Sequence, residues 1–414
     1  MSRAEHRPLA AAPRRLRTRV GIIGAGPAGL VLANVLTRAG VDCLVVERAS
    51  RAHVLARARA GLLEDRTVRA LRRHGLAGGV LAEGVRHGWC EFRCLGRAVR
   101  VDYAAHAGGR AHWVYPQQRL VGDLLTALPP GAEPLFGEAV RAIEGFGQGA
   151  GESSGKGPGA GRGGALLLCE SGLEIACDWV AGCDGYRGAA RTALAALPAG
   201  AHLERRRRHA YDWLTVLAET DRPAEGVVYA VHPEGFAGMM PRTPSLVRFY
   251  LQCAPGETAA HWPAERIARQ LTARLGDLPL LKDFPEVRVL RMRSSRIEPL
   301  RLGRLMLAGD AAHLLTPSGA KGANLAIADA LALADALLTG RPGAYGARRL
   351  PRIRRAAAFS ERLLGLLHLP PGEAGPAALR GRLHAFERLA GPGPEAAAFA
   401  HEYAGRPDAD DRPR

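Results

Sequence analysis

Asp310 closes the apolar run "RLMLAGDAAH", and "TPSGAKGAN" then leads through a Pro/Gly-broken loop into an Ala-rich stretch that reads as a helix from about Gly322. A carboxylate at the end of a strand in an α/β sheet faces the crevice where ligands bind, and it can grip a hydroxylated chain. The helix start behind it, at Gly322, Ala323 and Asn324, offers free N–H groups and the positive end of a dipole, which stabilise an anion. A reduced flavin presents both features, ribityl hydroxyls and a negatively charged pyrimidine ring.

A second constellation stands near the N-terminus. Gly24, Gly26 and Gly29 form GxGxxG directly after the apolar "VGII", and Glu47 ends the next apolar run. The first glycine permits a tight turn, the second lets the backbone approach a pyrophosphate, and the third lets helix and strand pack. Glu47, about 20 residues on, is placed to accept from a ribose diol. This fingerprint alone does not separate NAD from FAD; Asp310 and the late helix favour FAD.

These residues require a βαβ unit over 19–48, followed by Arg-rich helical stretches around 52–82. "WCEFRCLGRAVRVDY" has the alternation of antiparallel strands, and four short strands with Pro/Gly/Asp turns fill residues 211–253. The predicted fold is α/β: a Rossmann-like FAD-binding domain, an inserted antiparallel-sheet substrate domain and a helical C-terminal region. The expected divisions are a disordered extension over 1–18, an FAD-binding domain over 19–90, 110–195 and 296–345, a substrate domain over 91–109 and 196–295, and helices over 346–414. Residues 145–165, "GFGQGAGESSGKGPGAGRGGA", lack apolar periodicity and read as a flexible loop.

With 414 residues, 47% hydrophobic and only 5% aromatic, the core must rest on Ala, Leu and Val. The net charge of +17 admits nucleic acid, an anionic surface, or a polyanionic cofactor with an acidic substrate. The densest basic run, "ERRRR" from Glu204 to Arg208, has no RNP-like segment beside it, so nucleic acid is not expected as a partner. Seven cysteines, at 43, 90, 94, 169, 177, 183 and 253, form no CxxC pair, which suggests reduced thiols and a cytoplasmic protein. No apolar run reaches the ~18 residues of a membrane span.

Taken in order, the early GxGxxG, the middle "AGCDGYRG" and the late "AGDAAHLLTPSGAKGAN" resemble the class A flavoprotein aromatic hydroxylases, and within them the members that act on 4-hydroxybenzoate. "ARARAGLLE", residues 56–64, and "VYPQQRL", residues 114–120, carry the likeness further. The resemblance implies that Arg59 and Gln117 contact FAD, with Glu47 on the adenosine ribose and Asp310 on the ribityl chain. It implies that NADH or NADPH docks on Arg48, Arg57, Arg187 and Arg293. "ERASRAH", residues 47–53, shows no obvious phosphate clamp and leans to NADH or dual use.

For the substrate, Arg242 presents a planar fork that matches a benzoate carboxylate, and Tyr250 offers a phenolic hydrogen bond to the same group. The resemblance places Tyr229 on the substrate phenol, Tyr403 behind it as relay and His87 at the solvent end of the proton path. It also gives Pro317 a carbonyl facing the substrate hydroxyl and Asn324 a part in orienting flavin and relay. Three positions depart from the family pattern: Met240 stands where a carboxylate-binding serine is usual, Val231 replaces a polar residue near Tyr229, and Thr316 replaces a proline.

The expected reaction is hydroxylation of 4-hydroxybenzoate to 3,4-dihydroxybenzoate with FAD, NAD(P)H and O₂, in a homodimer that holds no metal. Met240 keeps open a related 4-hydroxy- or 4-amino-benzoate from a biosynthetic pathway. A nonenzymatic flavin-binding regulator is the alternative from another class.

Overall fold

The computed structural model describes residues 14–147 and 164–406, apart from residues 60, 195, 196, 199, 370 and 371. The glycine fingerprint sits where the sequence requires it. Strand Arg15–Ile23 runs into the turn at Gly24, helix Pro27–Arg38 follows, and strand Cys43–Glu47 returns parallel to the first. The sheet continues on the other side through Glu174–Gly182 and Leu305–Leu307, both parallel, with Ala165–Cys169 and Val140–Glu144 added antiparallel. Helix Gly322–Leu338 packs against helix Pro27–Arg38, so both dinucleotide-facing helix starts lie on one sheet.

Residues 15–18 were expected in the disordered extension; they are strand. The neighbouring strand reaches just as far, so Arg15 to Thr18 find backbone partners from Glu174 to Cys177, and Arg15 Nε adds a 2.7 Å ion pair to Glu174. Residues 1–13 of that extension, and 148–163 of the glycine-rich loop, lie outside the described residues.

A seven-stranded sheet stands apart, in the order Leu281–Leu290, Asp212–Thr220, Leu246–Cys253, Gly235–Thr243, Val227–His232, Cys90–Cys94 and Arg97–Val101. It is not wholly antiparallel, because Val227–His232 runs parallel to Cys90–Cys94. Period-two alternation divides its residues cleanly. Leu214, Val216, Ala237, Phe249 and Leu251 point to the outer face and pack on helix Ala264–Leu275 through Ile267 and Leu271. Phe92, Tyr229, Phe236 and Met240 point to the inner face, where helices Ala344–Leu367, Pro376–Ala390 and Pro394–Tyr403 cover them.

A short three-stranded sheet, Leu62–Glu64, His112–Val114 and Val85–His87, sets Glu64 and His87 either side of His112 in one cross-strand row. No described helix is long and apolar enough to cross a membrane.

Candidate functional site

Each glycine of the fingerprint has its own reason. Gly24 adopts φ of 104°, and a Cβ there would meet the Cys183 carbonyl oxygen at 2.6 Å. A Cβ on Gly29 would stand 1.9 Å from the Gly24 carbonyl oxygen. A Cβ on Gly26, the N-cap of helix Pro27–Arg38, would meet nothing within 4 Å. Gly26 therefore borders open space at a helix N-terminus, which suits a pyrophosphate. Glu47 accepts from the Ala25 and Ala49 amides at 2.8 and 2.9 Å, so its carboxylate is fixed at the rim while each oxygen keeps a further lone pair.

Asp310 follows Gly309, whose φ of 61° turns the chain out of the strand. The turn is fastened from beneath: the buried Asp329 carboxylate accepts from the Gly309 amide at 3.1 Å, from His313 Nε2 at 2.5 Å and from Arg349 Nε at 2.7 Å. Asp310 itself stays part-exposed, 3.8 Å from the Arg59 guanidinium. Helix Gly322–Leu338 starts without a side-chain cap, which leaves its first N–H groups for a ligand. Asn324 is fully engaged: its Oδ1 accepts from the Glu64 amide and its Nδ2 donates to the Leu62 and Ala320 carbonyls. It therefore ties the helix start to strand Leu62–Glu64, with Ala323 beside it. Gln117 opens helix Gln117–Thr126. Gly26, Glu47, Asp310 and the uncapped start of helix Gly322–Leu338 have the chemistry to hold an FAD.

Of the arginines assigned to the nicotinamide nucleotide, Arg48 and Arg57 are exposed beside Glu47 and Asp310. Arg187 is exposed, and Arg293 packs over the Tyr186 ring at 4.7 Å, as Arg191 does at 4.5 Å.

The substrate residues converge through register. Tyr229 pairs with Gly238, and Gly238 pairs with Tyr250, so the two tyrosines flank a residue with no side chain on the inner face. Met240 follows at a two-residue step on the same face, and Arg242 lies at the register shift just beyond it, its guanidinium close to Arg248 and Tyr250. Tyr229 Oη lies 2.8 Å from Tyr403 Oη and 3.4 Å from the Ser318 carbonyl, next to Pro317. Burial pushes both phenols well above their ordinary pKa, so both are neutral hydroxyls at physiological pH.

Arg242 is 6% exposed, and its donors go to neutral acceptors: Nη1 to the Arg59 carbonyl and Nη2 to Gln118 Oε1 at 3.2 Å. Burial, with Arg248 nearby, pushes its pKa down to about 10, still charged at neutral pH.

His87 is buried, with its pKa lowered by desolvation, and no described hydrogen bond joins its ring to the tyrosine pair. His112 stands between them instead. Its ring meets Tyr403 edge-on at 5.0 Å, and its Nδ1 lies 3.0 Å from Tyr103 Oη, which donates to the His87 carbonyl. Desolvation, helped by Lys321, drops the His112 pKa to about 3, so its imidazole is neutral.

Sequence reasoning also left Glu64 and Lys321 without roles, although both lie in the segments that carried the resemblance. Lys321 Nζ donates to Glu64 Oε1 at 2.6 Å and to the Tyr403 carbonyl at 2.8 Å, and all three residues are buried. A lysine between two glycines just ahead of an apolar helix was the available signal.

Comparisons with known proteins give the family. The family model described as an FAD binding domain matches residues 17–358. The chain is similar to the p-hydroxybenzoate hydroxylase of Acinetobacter baylyi, 32% identical over 367 residues that span 85% of this chain and 87% of that one. It is also similar to a 3-amino-4-hydroxybenzoate 2-monooxygenase of Streptomyces platensis, 30% identical over 86% of this chain and 90% of that one. The crystal structure of p-nitrophenol 4-monooxygenase from Pseudomonas putida aligns with a TM-score of 0.77 over 95% of this chain and 100% of that one. At 19% identity that likeness is one of fold.

Proposed function

Because this chain belongs to the FAD binding domain family and is a single-component flavin-dependent aromatic monooxygenase that uses NAD(P)H and O₂, we propose that it hydroxylates 4-hydroxybenzoate at position 3. The balance is one aromatic acid, one NAD(P)H, one proton and one O₂, giving 3,4-dihydroxybenzoate, NAD(P)⁺ and water. FAD held by the glycine fingerprint, Asp310 and the start of helix Gly322–Leu338 would supply the electrophilic oxygen, drawing on NAD(P)H and O₂.

The chain's own residues supply position and proton handling. Arg242 carries the reading, as a buried guanidinium whose only described partners are neutral. An incoming carboxylate completes it with a charge-assisted, bidentate contact. That contact directs the ring along the inner face toward Tyr229. The Tyr229 hydroxyl then accepts a hydrogen bond from the substrate phenol, and the Tyr403 hydroxyl 2.8 Å away takes the next place in the line. Drawing the phenol proton toward this pair makes the ring carbon ortho to it more nucleophilic, as attack on an electrophilic oxygen requires.

Met240 favours a second reading within the same chemistry, a 4-hydroxy- or 4-amino-benzoate that bears another ring substituent. A methionine there offers no hydrogen-bond donor to a carboxylate and a soft, adaptable apolar wall. The test is a substrate panel on the purified FAD-loaded protein, scored by substrate-stimulated NAD(P)H oxidation and product mass. Release of 3,4-dihydroxybenzoate is expected. Stimulation and product only with a substituted benzoate would establish the second reading.

A further inference from the structure

Two guanidiniums are buried on the inner face of the seven-stranded sheet, and they are satisfied differently. Arg248, 5% exposed, donates from Nη1 to the Glu286 carboxylate at 2.7 Å. Arg242, 6% exposed, has no carboxylate within ion-pair distance among the described residues. Its two described acceptors are the Arg59 main-chain carbonyl and the Gln118 side-chain carbonyl. A guanidinium has five donors in a rigid fork, so two acceptors on its terminal nitrogens fix its plane. Neutral acceptors fix the plane without cancelling the charge.

Gln118 is the second residue of helix Gln117–Thr126, so its backbone is held by the helix, and it lies 124 residues from Arg242 in the chain. A glutamate there would have the same shape and would pair with Arg242 as Glu286 pairs with Arg248. The site would then already hold its anion. A residue without an acceptor would leave one terminal nitrogen unpartnered and the fork free to turn.

We propose that Gln118 is a positioning residue that makes the pocket selective for anionic ring substrates, by holding the Arg242 fork through an uncharged acceptor. The proposal rests on the reading of Arg242 as the carboxylate anchor. Charge selection would thus be divided between two residues: Arg242 supplies the cation, and Gln118 keeps it oriented without an ion pair, Glu286 acting on it only from beyond contact.

The test uses the full-length FAD-loaded protein and two ligands of matched shape, 4-hydroxybenzoate and neutral 4-hydroxybenzamide, with Kd read from perturbation of the flavin absorbance. Wild type, Gln118→Glu and Gln118→Met are compared, the last keeping side-chain length without the acceptor. In Gln118→Glu the acid Kd is expected to rise about a hundredfold, and in Gln118→Met about tenfold, while the amide Kd moves less than about threefold. Should Gln118→Glu fail to bind FAD, Gln118→Met decides alone. A wild type that prefers the acid, with an acid-to-amide ratio unchanged in the variants, would overturn the role of Gln118 and leave Arg242 standing. Equal weakening of both ligands would also overturn it, since a purely structural role does that. A wild type with no preference for the acid would overturn both.

Discussion

Tyr229 and Tyr403 bring their phenolic oxygens to 2.8 Å from positions 174 residues apart, one on an inner strand and the other at the end of the last described helix. Nothing local joins them. Helix Pro394–Tyr403 delivers Tyr403 to the sheet face, and Lys321 holds its carbonyl in place at 2.8 Å.

The pair should act on chemistry rather than on binding. Tyr403→Phe removes the second hydroxyl without touching the proposed substrate position. The hydroxylation rate should fall by about a hundredfold with KM changed little, in the range of a lost proton-transfer group. The ultraviolet difference spectrum of bound 4-hydroxybenzoate, which reports phenol ionisation, should lose its phenolate component. An unchanged spectrum would remove Tyr403 from the proton path.

Arg242→Met should do the reverse and weaken binding. Loss of a buried charge partner costs about 2 to 5 kcal/mol, so KM for the aromatic acid should rise by roughly 30- to several-thousand-fold. FAD content should hold, since Arg242 belongs to the sheet and not to the glycine fingerprint. Steady-state kinetics with flavin quantitation check both halves.

Gly26 and Gly29 separate cofactor binding from folding. Gly26→Ala points its Cβ into open space, so the melting temperature of the flavin-free protein should barely move while FAD affinity drops about tenfold or more. Gly29→Ala places its Cβ 1.9 Å from a carbonyl oxygen, so it should lower stability by about 1 to 3 kcal/mol, FAD or no FAD. Thermal melts and FAD titration of the two apoproteins give opposite orders if this is right.

Glu64 makes stability depend on acid. Burial would raise its pKa, but Arg66 and Lys321 overcome that and hold it down to about 2. Lys321 is itself pushed down by burial while Glu64 pulls it up, and two cations against one buried carboxylate support the lowered value for Glu64. A depressed carboxyl stabilises the fold above its unfolded value of about 4.3, and that contribution vanishes as pH falls to about 2. It amounts to on the order of 3 kcal/mol. Denaturant unfolding from pH 6 to pH 2.5 should show the decline, and Lys321→Met should begin it at a higher pH. Coincident curves for the two proteins would rule the pair out as its source.

The glycine fingerprint, the βαβ unit and the late Asp310 turn were legible in the sequence because their causes are local. A φ of 104° at Gly24 and a helix start three residues later follow from residue type and spacing alone. The strands at 212–253 were legible for the same reason, since alternation is a property of neighbours. The start at Arg15 was not, because a basic, uninformative segment became strand only by pairing with Glu174–Cys177.

In the pocket, residue type announced what Arg242 and Tyr229 can do, and family likeness suggested where. Only packing decided which groups surround them. The backbone partners of Asn324, the neutral Gln118 beside Arg242, and His112 standing where the path to His87 was expected are all long-range contacts. They are fixed by sheet register and by which helix covers which face, and one residue of slip would turn each strand residue to the other side. Sequence settled the chemical vocabulary of this protein; tertiary structure settled which of those groups meet, because burial and hydrogen-bond satisfaction act between segments that the chain itself keeps far apart.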